Sequence, residues 1–136
     1  MRSQPLKYSI VVYGSPHSSQ GPHSAVKFIE ALLSQGHEIY RVFFYHDGPL
    51  NASNLIVSPQ DDEFLPGTWH QLKAAHQIDY VVCIGAGIKR GIINSAEAAR
   101  YEKTGASLAA GFELSGLGQL VDASIHSDRI VTFASH

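Results

Sequence analysis

The sequence predicts an α/β protein: a parallel sheet with helices on both faces. Two observations carry that expectation. Short runs rich in β-branched and aromatic residues alternate along the chain with segments of helical periodicity, the pattern of strand–helix–strand units. One such run, Tyr80–Gly85, is apolar up to its terminal glycine, as expected of a strand covered on both sides. The chain of 136 residues can bury a core without disulfides or a structural metal, and a single domain spanning residues 1–136 is expected.

The first strand is read at Tyr8–Gly14. A loop rich in Ser, Pro, His and Gly follows, and Ser24 is a candidate N-cap for a helix running to about Gln35. Ala25, Phe28, Ile29, Leu32 and Leu33 recur at helical spacing there, and Gly36 stands where a C-terminal cap belongs. Glu38–Tyr45 is the second strand, broken by His46-Asp47-Gly48-Pro49. Leu50–Ser58 reads as a helical turn or short helix, Pro59–Pro66 as a polar, acidic loop, and Gly67–Gln77 as a short amphipathic helix. After the third strand, Gly85-Ala86-Gly87 is expected to open a loop. Ser95–Glu102 and Leu117–Ser127 read as helices, with short strands at Phe112–Leu114 and Arg129–Phe133.

Hydrophobic residues make up 44% and charged residues 16% of the chain, a low charge fraction that is compatible with a surface covered by partners. A formal net charge of -2 supplies no long-range attraction for nucleic acid or an anionic membrane, so neither is expected to bind directly. The single cysteine excludes an internal disulfide and fits a reducing compartment. The polar start, Met1–Lys7, lacks the apolar stretch of a secretory signal, and a cytoplasmic location is expected. The eight histidines form no HxH or HExxH pattern, so no metal and no other cofactor is expected.

In an open parallel sheet, chemistry collects beyond the carboxyl ends of the strands. Three segments meet that condition: Gly14–His23, Tyr45–Pro49 and Cys83–Gly91. Only the third carries a strong nucleophile, Cys83. Lys89 and Arg90 follow it within one loop length, where a cation stabilises a thiolate or a persulfide anion. The competing reading of Cys83 is an inert buried apolar residue, and that of Lys89 and Arg90 a solvated loop. A Cys–His pair is also open, with no histidine singled out.

Other chemistries fit less well. Gly85, Gly87 and Gly91 are spaced GxGxxxG after the third strand, not GxGxxG after the first, with no acidic residue closing the next strand. Gly14–Gly21 lacks the GK[ST] ending of a P-loop, although its serines allow a flavodoxin-like phosphate loop as an alternative. No GxSxG elbow is present.

Several segments together resemble the TusD/DsrE family of sulfur-relay proteins. Val42–Gly48 is similar to the family's VFFY-x-x-G segment, with Asn51 following. Ser58-Pro59 with Asp62-Glu63-Phe64 is similar to its SP…DEF loop, and Trp69–Leu72 to its W-x-x-L helix. Val82-Cys83-Ile84 with Lys89-Arg90-Gly91-Ile92 resembles the segment bearing the family's active cysteine. Gly111–Leu120 and Ser127–Phe133 resemble GF-x-LSGLG-x-L and DR-x-V-x-F. The match runs from about Tyr8 to Phe133, and Ser15–Gln20 departs from it in being more polar and His-rich.

The resemblance implies a DsrE/F-type α/β fold and a sulfurtransferase in which Cys83 accepts sulfur as a persulfide. It implies a heterohexamer with TusB- and TusC-like subunits, a TusA-like donor, a TusE- or DsrC-like acceptor, and 2-thiolation of tRNA wobble uridine as the end use. Two alternatives stand beside it: a DsrE-type carrier in sulfur oxidation, and a non-catalytic subunit of such a hexamer with Cys83 buried. A lone cysteine cannot resolve its own persulfide into an internal disulfide, so the sulfur must pass to another molecule.

Overall fold

The computed structural model describes residues 4–57 and 65–135. In chain order the elements are β1 (Lys7–Val12), α1 (Gly21–Ser34), β2 (Glu38–Phe44), a 3-10 turn (Gly48–Ala52), α2 (Leu65–His76), β3 (Tyr80–Cys83), α3 (Ile84–Lys89), α4 (Ser95–Arg100), β4 (Phe112–Ser115), α5 (Gly118–His126) and β5 (Arg129–Phe133). The five strands form one sheet in the order β4-β3-β2-β1-β5, and every pairing is parallel.

Alternation along the strands divides the core in two, because successive side chains point to opposite faces. Ile10, Val12, Val42, Phe44, Tyr80 and Val82 face one side and pack with Ala25, Val26, Ile29 and Leu32 of α1 and with Trp69 and Leu72 of α2. Phe43, Val81 and Cys83 face the other, against Ala86 of α3 and Leu120 of α5. Both faces of the sheet are therefore covered by helices. Val82 is fully buried and Val81 is 2% exposed, as the unbroken apolar run requires.

Gly36 ends α1 as its position foretells. It takes φ +87, its N–H donates to the Leu33 carbonyl, and His37 N–H donates to Leu32, which together make a Schellman cap. The start of α1 differs from expectation. It begins at Gly21 rather than Ser24, because Pro22 is tolerated in a first turn, where its missing N–H has no helical partner to lose. Ser19 Oγ accepts from Gly21 N–H just ahead of it.

Two further expectations are corrected. The helical turn placed at Leu50–Ser58 lies earlier, as the 3-10 turn, because Asn51 is drawn into the interior. Gly85-Ala86-Gly87 is not a loop but the body of α3. Gly87 serves packing, since a Cβ there would crowd the Ile92 carbonyl oxygen at 3.0 Å and Leu114 and Val82 at 3.4 Å, whereas Gly85 stands in open space. A second Schellman cap closes α3, with Gly91 at φ +75, Gly91 N–H on the Ile88 carbonyl and Ile92 N–H on Gly87. Helix α2 begins at Leu65, so Leu65 and Pro66 are helical. The SP…DEF segment lies outside the described residues, as does His136.

Candidate functional site

Strand β3 ends on Cys83, and α3 begins on the next residue. Cys83 has φ -59 and ψ 120 and is the N-cap of that helix, with no loop between strand and helix. Its thiol makes no cap hydrogen bond. The side chain shares the apolar environment of Phe43, Val81, Ala86, Tyr45 and Leu120 and is 6% exposed.

Cys83 nevertheless lines a cleft of about 550 Å³ at the carboxyl edge of the sheet. Four segments build it. Tyr45 and His46 come from the end of β2, Cys83–Ala86 from the strand–helix joint, Lys89 and Arg90 from the end of α3, and Gly116 and Leu117 from the turn after β4. The structure thus brings together all three residues singled out in the sequence: Cys83, Lys89 and Arg90.

The two cations differ in role. Arg90 Nε donates to Asp47 Oδ1 at 2.8 Å, and Arg90 Nη1 to the Ala86 carbonyl at 3.0 Å. Its charge is met by Asp47, and it ties the end of β2 to α3. Lys89 is exposed, and among the described residues its ammonium has no hydrogen-bond or ion-pair partner. It is the uncompensated positive charge of the cleft.

The walls are held from behind. Asn51, fully buried, donates through Nδ2 to the carbonyls of Gly14 and Gly48 at 2.9 Å and accepts from Trp69 Nε1 at 3.1 Å. One amide thereby joins the loop after β1, the turn after β2 and helix α2. Tyr80 O–H donates to the Trp69 carbonyl at 2.6 Å, and burial pushes its hydroxyl pKa upward. Gly48 has no room for a side chain, since a Cβ there would collide with the Val12 carbonyl oxygen. These contacts fix where the β2 turn stands relative to Cys83.

Of the three strand-end segments expected to matter, Tyr45–Pro49 and Cys83–Gly91 reach the cleft. Gly14–His23 contributes no lining residue. Tyr45 and His46 fell within one of those segments but were not singled out in it, and Gly116 and Leu117 were not legible as site residues, because these four share a cleft with Cys83 only once β2, β3 and β4 are adjacent. Among the described residues no group of three or more His, Cys, Asp or Glu could hold a metal ion. A second cleft, of about 460 Å³, lies between α2 and the approach to β4, lined by His70, Lys73, Ala74, Gln77, Ala110 and Gly111. It holds no thiol, and its lysine is engaged with the Ile78 carbonyl at 2.7 Å.

Comparison with known proteins gives a consistent result. Residues 6–133 match the model of the DsrE/DsrF-like family. The chain is 47% identical over 128 residues to a sulfurtransferase TusD homolog of Pseudomonas aeruginosa, covering 94% of this chain and 97% of that protein. It is 44% identical over 129 residues to sulfurtransferase TusD of Salmonella dublin, covering 94% and 100%. To DsrE of Allochromatium vinosum it is 42% identical over 128 residues, covering 94% and 98%. Among solved structures, the ychN protein of E. coli superposes with a TM-score of 0.73 at 20% identity, over 94% of this chain and 99% of the other, a likeness of fold. A parallel sheet with a cysteine at the β3–α3 joint, a family match over nearly its whole length and relatives above 40% identity place this chain in the DsrE/DsrF-like family.

Proposed function

We propose that this chain is a sulfurtransferase subunit that takes sulfur as a persulfide on Cys83 and passes it to a downstream carrier. The observation that carries the reading is the lone cysteine at the β3–α3 joint, on a cleft whose free charge is the Lys89 ammonium. Thiol-to-thiol sulfur transfer needs one nucleophile, an anion-favouring setting and room for a second sulfur to approach. The names of the relatives, sulfurtransferase TusD among them, support the same chemistry.

The finer reading is a tRNA-thiolation relay in the cytoplasm. A TusA-like protein supplies the sulfur, TusB- and TusC-like subunits complete a heterohexamer, and a TusE-like protein receives it. The stronger identity to proteins named TusD supports this over the alternative. A role in sulfur oxidation with a DsrC-like acceptor is the second reading, favoured by the near-complete match to DsrE. Assembly is supported by Leu117, Val121 and Ile125, an exposed apolar row at i, i+4 and i+8 along α5 whose first member also lines the cleft. No helix among the described residues is long and apolar enough to cross a membrane.

The test is intact mass after incubation with a cysteine desulfurase, L-cysteine and a TusA-type carrier. Wild type is expected to gain about 32 Da, one sulfur atom, reversibly with dithiothreitol, and Cys83→Ser to gain nothing. An adduct that persists in Cys83→Ser would place the chemistry elsewhere. No adduct in wild type with its partner subunits present, together with slow alkylation of Cys83, would make this a non-catalytic subunit. A loaded chain then offered TusE-like and DsrC-like acceptors distinguishes the two relays.

A further inference from the structure

We infer that His46 is the proton-transfer residue of the Cys83 cleft. The inference rests on the persulfide-carrier reading and deepens it. Of the described histidines, His46 alone lines the cleft with Cys83. His37 sits at the opposite edge of the sheet, where its Nδ1 accepts from Leu6 N–H. His126 closes α5, against Asp122, and His23 Nε2 lies 3.2 Å from the Pro16 carbonyl.

The backbone marks the same residue. His46, like Gln77 and Glu102, is a non-glycine in the left-handed region, at φ +52, and of these three it alone lines the cleft. The turn is held there by Tyr45 N–H on the Val12 carbonyl, Asp47 N–H on Tyr13 and Gly48 N–H on Tyr45. The Arg90–Asp47 ion pair clamps the following residue to α3. The imidazole is gripped by rings rather than by hydrogen bonds. The Tyr13 ring meets it edge-on with centroids 4.4 Å apart, and the Tyr45 ring lies at 4.6 Å. Among the described residues its ring nitrogens carry no hydrogen bond or ion pair, although the residue is exposed. An oriented imidazole with both nitrogens unengaged, lining the same cleft as a nucleophile, is equipped to move a proton.

The step balances without an external oxidant. The Cys83 thiol gives its proton to the imidazole. The thiolate attacks the terminal sulfur of the donor's persulfide and forms a new S–S bond. The donor's own S–S bond breaks, its electron pair leaves on the donor thiolate, and the imidazolium protonates that thiolate. Persulfide plus thiol becomes thiol plus persulfide. The titratable and charged groups around His46 are the Tyr13 and Tyr45 rings against it, Asp47 next to it in the turn, and Cys83, Lys89 and Arg90, which line the same cleft from β3, α3 and the residue after α3.

The experiment loads the full chain from glutathione persulfide and follows intact mass with time between pH 5.5 and 8.5. It compares wild type, His46→Asn and Cys83→Ser, Asn being chosen because it tolerates the left-handed backbone. Loading is expected to slow about 10²-fold in His46→Asn, with partial recovery on adding imidazole. His46→Gly, which also accepts this backbone, is read in the same way and guards against misfolding of the first variant. Loading of both variants at the wild-type rate, with the wild-type pH profile, overturns the assignment of His46 while leaving the carrier reading standing. Wild type that takes no sulfur overturns both.

Discussion

Lys89 and Arg90 are adjacent in sequence and both line the cleft, yet the structure separates their roles. Arg90 is spent on Asp47 and the Ala86 carbonyl, whereas Lys89 offers its charge to whatever enters. Lys89→Ala is therefore expected to leave stability unchanged and to slow alkylation of Cys83 by iodoacetamide at pH 7 roughly two- to five-fold, the scale of one partly screened charge. Arg90→Ala removes a solvent-exposed ion pair worth about 0.2–1 kcal/mol and loosens the turn that carries His46. Equal alkylation rates in Lys89→Ala and wild type would remove Lys89 from the mechanism. Asn51, which the sequence marked only by resemblance, owes its place to the two carbonyls and one indole N–H it satisfies; no apolar residue of that size could satisfy them.

The turns and helix ends show which local signals survive folding and which do not. Gly36 was legible because a Schellman cap needs a left-handed residue, and glycine supplies it from local sequence alone. Gly87 misled because its use is tertiary: it lets the short helix that follows β3 lie close to Val82 and Leu114. The strands were readable from their β-branched and aromatic content, but not the order in which they pair, and the cleft depends on that order. Gly48 and Gly91 illustrate two reasons for glycine. Gly91 stands in open space at φ +75, so Gly91→Ala is expected to cost only about 1 kcal/mol. Gly48→Ala drives a Cβ into the rigid Val12 carbonyl and is expected to cost about 2–3 kcal/mol. Urea denaturation of the pair checks the ranking, and an equal cost would mean that the β2 turn relaxes freely.

Across the molecule, Arg41 of β2 joins elements distant in the chain. Its Nε donates to Asp79 at 2.8 Å, and its Nη1 to Asp122 at 3.0 Å and to the Gln119 carbonyl at 2.8 Å. Tyr40 O–H donates to the same Asp122 oxygen at 2.6 Å. The Tyr40 hydrogen bond, and after it the Arg41 guanidinium, hold the Asp122 carboxyl below its ordinary value of 3.8. A depressed carboxylate contributes its stabilisation fully above that ordinary value and loses it as pH falls through the lower, folded-state one. The thermal midpoint is expected to fall as pH drops below about 4, less steeply in Asp122→Asn than in wild type. Parallel acid limbs in the two proteins would exclude this cluster as a source. The sheet order has a kinetic corollary. Strand β1 is flanked on one side by β5, with Tyr8 opposite Arg129, Ser9 Oγ within 2.6 Å of Ser127 Oγ and Asp128 N–H on the Lys7 carbonyl. The earliest strand of the sheet therefore waits for the latest. A ribosome-bound chain would carry β1 with one bare ladder edge until β5 emerges, an opening for misplaced strand pairing, and closure of so long a loop places folding among the slower topologies.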